Sequence, residues 1–225
     1  MIYSEEGGWY FIHVPKNAGS SILKLYMSIG GKFKMIEEVR YKQRISNKGK
    51  YGLGIINKDP NKAHNKASYW GERGGKGLKP LAILRNPWSR CLSIYLYNLK
   101  ITKANLGKEW ADIDHPILTA QGFKTSWMPG GFFVDGHSDH VSYNTQTERN
   151  WDYSNSQFTW LEGYEGKWFR LEDGFEDFSE FTGLPLPPKV NTTQKTDYRK
   201  YYDDELAERI GTLYAKDVEL GGYSF

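Results

Sequence analysis

The chain has 225 residues, a formal net charge of +3, eight Trp, sixteen Tyr and a single Cys. That length allows one domain with a substantial core. The nearly balanced charge argues against a nucleic-acid binder, and a lone Cys91 excludes an intrachain disulfide. No apolar run approaches the length of a membrane span. The N-terminus lacks the basic and apolar regions of a signal peptide, so cytoplasmic residence is the expectation.

In chain order, Trp9 to Val14 is aromatic and β-branched and predicts a buried strand. Ile22, Leu25, Tyr26 and Ile29 follow at the spacing of one apolar helix face. Between them lie Pro15, Lys16, Asn17, Ala18, Gly19, Ser20 and Ser21. This composition suits an anion cradle. Gly19 allows a tight turn and close approach, free N–H groups at the helix start favour negative charge, Lys16 adds a cation, and the two serines add donors. The usual phosphate loop places Lys after its second Gly. Here Lys16 comes before Gly19, which points away from an ordinary ATPase and toward another anionic donor. A plain strand–turn–helix with a surface Lys is the bland alternative.

Lys32 to Lys50 is basic and polar and reads as a solvated face. Leu53 to Ile56 is a weak strand candidate, and Asp59-Pro60 opens a helix that carries His64. Leu78 to Leu84 predicts a second buried strand. It runs into Arg85-Asn86-Pro87-Trp88-Ser89-Arg90-Cys91-Leu92-Ser93, with Asn86 as cap and Pro87 as first helical residue. On this helix, extending to about Lys103, Trp88, Leu92, Tyr95 and Leu99 should face the core. Asn86, Arg90, Ser93 and Tyr97 should form a separate face. Arg85 and Ser93 can then converge where a phosphate would sit at the strand's C-terminal end. An Arg capping carbonyls is the competing reading. Cys91 reads as a buried helix residue rather than a nucleophile.

Taken together, Pro15-Lys16-x-x-Gly19-x-Ser21 and Arg85-Asn86-Pro87-x-x-Arg90-x-x-Ser93 resemble the two donor-binding motifs of sulfotransferases that use 3′-phosphoadenosine-5′-phosphosulfate. The wording is most similar to the branch that includes heparan sulfate 2-O-sulfotransferase and its bacterial relatives. His64-Asn65-Lys66-Ala67 is similar to that branch's His-x-x-Ala helix segment. Arg170-Leu171-Glu172 resembles its strand-to-helix segment, and Tyr201 to Tyr223 its C-terminus. Asn17 and Ala18 stand where the family often has Thr and Gly. The resemblance covers both ends and the middle, leaving residues 32–58 and 104–155 open.

The resemblance implies an α/β fold in one domain, residues 1–225: a P-loop-like parallel sheet flanked by helices, with 104–155 an acceptor-side insertion. It implies transfer of a sulfuryl group to an acceptor hydroxyl on a glycan or small molecule. Lys16 and His64 would be catalytic, His64 as the base. Lys16, Asn17, Ala18, Gly19, Ser20, Ser21, Arg85 and Ser93 would bind the donor, with Arg199 and Lys200 closing over it. Arg90 would support the second motif and His13 would be structural. No metal is expected. Asp112, Asp114, His115, His137, Asp139 and His140 could suggest a metal, and His137 and His140 are three apart as on one helical turn, but Gly136 and the polar neighbours argue for a loop and no further ligand spacing supports a site. A nucleotide-dependent kinase and a nucleotide-binding module without activity are the rival classes.

Lys167 to Leu171 predicts another strand, and Phe175, Phe178 and Phe181 a helix ended by Gly183. Asn191 to Tyr202 reads as a polar loop. Asp203 or Asp204 should cap a last helix with Leu206, Ile210 and Leu213 inward.

Overall fold

The computed structural model describes residues 2–29, 45–46, 53–55, 67–68, 77–106, 127–128, 131–132, 156–190 and 197–225. The expected single domain is organised as two compact units, Met1–Arg85 with Gln157–Thr192 and Asn86–Ser156 with Thr193–Phe225.

The first unit is α/β. Its strands are β1 (Ile2–Ser4), β2 (Trp9–Phe11), β3 (Ile45–Ser46), β4 (Leu53–Ile55), β5 (Lys79–Leu84) and β8 (Lys167–Arg170); β6 (Trp127–Met128) and β7 (Gly131–Phe132) belong to the second unit. The strands of the first unit form one sheet in the order β3-β4-β1-β2-β5-β8. β2, β5 and β8 pair in parallel, as the sequence led us to expect. The β1–β2, β1–β4 and β3–β4 pairings are antiparallel, so the sheet is mixed rather than parallel throughout. The cause is local. β1, too short to be read from the sequence, joins β2 through a tight turn in which Gly8, at φ 68°, donates to the Glu5 carbonyl. A link that short can only produce an antiparallel pair.

Helix α1 (Gly19–Ser28) places Ile22, Leu25 and Tyr26 on the sheet face formed by Trp9, Phe11, Leu81, Ile83 and Phe169. Phe178 of α4 (Glu176–Thr182) completes this core, edge-on to Phe11 and Phe169. Tyr10, Ile12, Ala82 and Leu84, on the opposite sheet face, are buried too. Strands buried on both faces read as continuous apolar runs, which is why β2 and β5 were legible. A four-residue helix, α3 (Phe158–Leu161), was not expected.

Pro80 lies inside central strand β5, where proline is normally excluded. Lys79 N donates to Gly8 and Leu81 O accepts from Ile12, so these residues turn their polar groups toward β2. Pro80 therefore turns toward β8, whose first partnered residue, Lys167, is opposite Leu81. Its missing N–H lies just short of the ladder.

The second unit is built on α2 (Pro87–Leu106), with the antiparallel pair β6 (Trp127–Met128) and β7 (Gly131–Phe132), α5 (Asp204–Leu213) and α6 (Ala215–Gly221). Asn86 caps α2 as expected, its Oδ1 accepting from Ser89 N at 3.2 Å. Of the two faces expected on this helix, Tyr97 and Leu99 lie outside the residues whose side chains are described. Trp88, Leu92 and Tyr95 are buried, but so are Asn86, Arg90, Cys91, Ser93 and Ile94. Packing surrounds the helix start, and its polar face is a buried polar cluster. Trp88 Nε1 donates to Ala207 O, and the Tyr202 hydroxyl donates to Trp88 O. Asp203 caps α5 through Leu206 N, and Leu206 and Ile210 are inward. Leu213, expected inward, is 43% exposed, because α5 ends there and the chain turns at Tyr214 into α6. Among the described residues, no helix is long and apolar enough to cross a membrane.

Candidate functional site

β2 ends at Phe11, and the chain continues inward. Ile12 and Val14 are buried, and Asn17 N reaches the Val14 carbonyl. Lys16 then takes φ 66° and Ala18 φ 59°, the only positive-φ non-glycine residues among those described. Asn17 and Gly19 are not among the positive-φ residues, so the sign of φ alternates along 16–19. Such alternation turns successive N–H groups toward one side, as in anion-binding nests. L-residues resist the left-handed region by roughly 1–2 kcal/mol each, so the surroundings must hold this conformation.

The means of holding it are visible. Asn17, 1% exposed, donates from Nδ2 to Ile83 O at 2.8 Å and also to Gln157 Oε1. Gln157 pairs with the Arg85 backbone in both directions. Arg85 N donates to Oε1 at 2.9 Å, and Gln157 Nε2 donates to Arg85 O at 2.7 Å. The Arg85 side chain closes the circuit, with Nη1 donating to Lys16 O at 3.2 Å. A neutral hydrogen bond contributes about 1 kcal/mol net and charge-assisted ones about 1.5–3. The network is thus of the size needed to offset two left-handed residues.

Ala18 stands at the N-cap of α1 with no side-chain cap. Ser21 N and Ile22 N donate to Ala18 O, while the first turn leaves the N–H groups of Gly19 and Ser20 without intrahelical partners. Gly19 serves packing at this point. A Cβ there would lie 1.7 Å from His13 Nε2, so the half-buried imidazole fills the space that the glycine leaves. The sequence alone suggested ligand approach for Gly19, and structure for His13. The contact ties the two residues together.

The first unit therefore brings together Lys16, Asn17, Ala18, Gly19, Ser20, Ser21 and Arg85. Lys16 is half-buried and Ser20 exposed. Asn17 is engaged internally, and buried Ser21 accepts from Val190 N at 3.3 Å. Arg85 does cap a carbonyl, as the bland alternative held, with a guanidinium whose five donors allow further contacts. Ser93, Arg199 and Lys200 belong to the second unit. Ser93 is 8% exposed. Arg199, on a short 3₁₀ turn (Tyr198–Tyr201) within the expected loop, lies over the Tyr198 and Phe225 rings and beside Asp197. Arg90 is 1% exposed, in keeping with a supporting part. His64 lies outside the described residues, as do Asp112, Asp114, His115, His137, Asp139 and His140. Among the described residues no three His, Cys, Asp or Glu side chains gather as a metal would need.

Sequence reasoning missed Gln157. It stands in a polar run, Ser154-Asn155-Ser156-Gln157, with no motif around it. Its partners are at positions 17 and 85, and no local signal could have linked them. No protein-family model, curated protein or solved structure matches the chain.

Proposed function

We propose that the protein is a sulfotransferase that moves a sulfuryl group from 3′-phosphoadenosine-5′-phosphosulfate to an acceptor hydroxyl on a glycan or small molecule. The observation that carries the reading is the loop at 15–19. Its alternating φ, the N–H groups of Gly19 and Ser20 without intrahelical partners, and Lys16 within the same turn suit a doubly charged group at the end of β2. The motif resemblance supplies the identity of the donor. Cytoplasmic residence belongs to the same reading.

In the mechanism, the acceptor oxygen attacks sulfur as the bond from sulfur to the phosphate oxygen breaks. Transfer of this type passes through a loose in-line transition state, so positioning and charge stabilisation dominate. Lys16 and the loop donors stabilise charge growing on the bridging oxygen, in the role Mg²⁺ has in kinases. Ser20 donates to the 5′-phosphate. Arg85 takes the 3′-phosphate, with Ser93 the second residue that the resemblance assigns to it. His64 accepts the acceptor's proton, since imidazole is suited to neutral pH.

Thermal denaturation tests the donor. Adenosine 3′,5′-bisphosphate should raise the melting temperature more than AMP or ATP does. Equal shifts for AMP and the bisphosphate would remove the role of Arg85, and preference for ATP would favour a kinase. Transfer of label from the sulfated donor to a glycan mixture tests the reaction, and label that stays on the donor would leave a binding module.

A further inference from the structure

We infer that Gln157 is a positioning residue for the anion loop, one carboxamide that sets the loop and the backbone of Arg85 against each other. The inference rests on the anion-loop reading only for what the loop holds.

The geometry leaves Gln157 one orientation. Arg85 presents an N–H and a carbonyl, so the carboxamide must offer Oε1 to the first and Nε2 to the second. Oε1 is then fixed where Asn17 meets it, and Asn17 must answer with Nδ2, whose other hydrogen goes to Ile83 O. Asn17 Oδ1 is left buried with no partner. Leaving such an acceptor unsatisfied is costly, and the circuit tolerates it to keep both donors of Asn17 at work. Asn17 is also the residue between the two left-handed positions, Lys16 and Ala18. Gln157 therefore acts on the middle of the turn, while the Arg85 guanidinium holds its first residue through Lys16 O. It comes from a segment remote in sequence, and it is 1% exposed, so its carboxamide serves inside the protein.

Breaking this link should loosen the loop without unfolding the sheet. The test is amide hydrogen exchange on the free full-length protein, with α5 as internal reference, alongside bisphosphate affinity measured well below the melting temperature. For Gln157→Ala, exchange over residues 15–21 should quicken by about tenfold, with α5 unchanged, and the bisphosphate should bind about tenfold more weakly. Tyr202→Phe, which removes a buried hydrogen bond in the second unit, is the control for general destabilisation and should change neither. The double variant Asn17→Ala with Gln157→Ala should cost less than the sum of the two single variants, since both remove the Asn17–Gln157 bond. If Gln157→Ala does not fold, Asn17→Ala runs the same test from the loop side. Unchanged loop exchange, or faster exchange with unchanged affinity, would overturn the assignment. A wild-type protein that ignores the bisphosphate would overturn the sulfotransferase reading instead. The exchange result, with inorganic phosphate as the binding probe, would still decide for or against Gln157.

Discussion

The two strand-to-helix segments that resemble donor motifs are built on opposite plans. At 15–21 the backbone is held in an unfavourable turn, the helix start has no side-chain cap, and the N–H groups of Gly19 and Ser20 have no intrahelical partner. At 86–93 the helix is capped by Asn86, and its polar residues are taken inward. Asn86 Nδ2 donates to the Tyr198 hydroxyl and the Ser224 carbonyl, and Arg90 is sealed from solvent. The first leaves N–H groups outside the helical ladder in a backbone that costs stability. The second spends its donors on its own unit. Similar motif wording thus goes with a strained, uncapped turn in one place and a capped, buried helix start in the other.

The largest effect expected on this contrast is alkaline. Burial pushes the Tyr10 hydroxyl up to about 12 and raises those of Tyr95, Tyr202 and Tyr214 as well. Unfolded tyrosines ionise near 10. Below that pH both states are neutral and the full contribution is present. Above it only the unfolded chain gains by ionising, so stability falls from pH 10 upward until the folded hydroxyls ionise too. Tyr95, Tyr202 and Tyr214 belong to the second unit, which should therefore be lost first. Absorbance at the tyrosinate band, followed together with exchange in α5 and β5, would show it. Loss of both units at one pH would mean that the contrast does not extend to stability.

Lys16→Ala should lower turnover at saturating donor by about 10²–10³-fold, the usual worth of a donor aimed at developing charge, while bisphosphate affinity changes little. Lost affinity with full turnover would reassign Lys16 to binding. Arg85→Ala should weaken the bisphosphate by about 10–100-fold, as loss of a charged contact implies. Ser93→Ala, at a position almost without solvent access, should cost about fivefold or less. A loss at Ser93 as large as that at Arg85 would mean that the segment at 86–93 also contacts the ligand. Gly19→Ala should destabilise by about 1–3 kcal/mol through overpacking against His13, read by urea denaturation. His13→Ala in the same chain should recover part of it. No recovery would mean that the glycine is needed for something other than the imidazole. Asp203→Ala should cost about 1 kcal/mol through the lost cap of α5 and leave the loop's exchange untouched.

The elements that were legible have local signals. Continuous apolar runs marked β2 and β5, and a cap with a following proline marked the start of α2 at Asn86 and Pro87. β1 and α3 are too short for any period to build up. The burial of Ser93 and the exposure of Leu213 depend on what packs beside them, which spacing along one helix does not contain. The loop at 15–21 was recognisable by composition, but its left-handed residues are Lys16 and Ala18 rather than Gly19. That outcome depends on Gln157, which no pattern in the sequence connects to it.

Pro80 has a further effect, on register. If β8 slid two residues along β5 toward Pro80, a β8 carbonyl would face a ring where it needs a donor. A slide of one residue would turn Phe169 out of the core. The chain entering β8 is also confined there, since a side chain on Gly166 would meet the Pro80 carbonyl at 2.4 Å. Pro80 therefore acts as a stop against which β8 is seated. The seating at that end carries through the four paired residues to the other, where Arg170 is set opposite Leu84 beside Arg85.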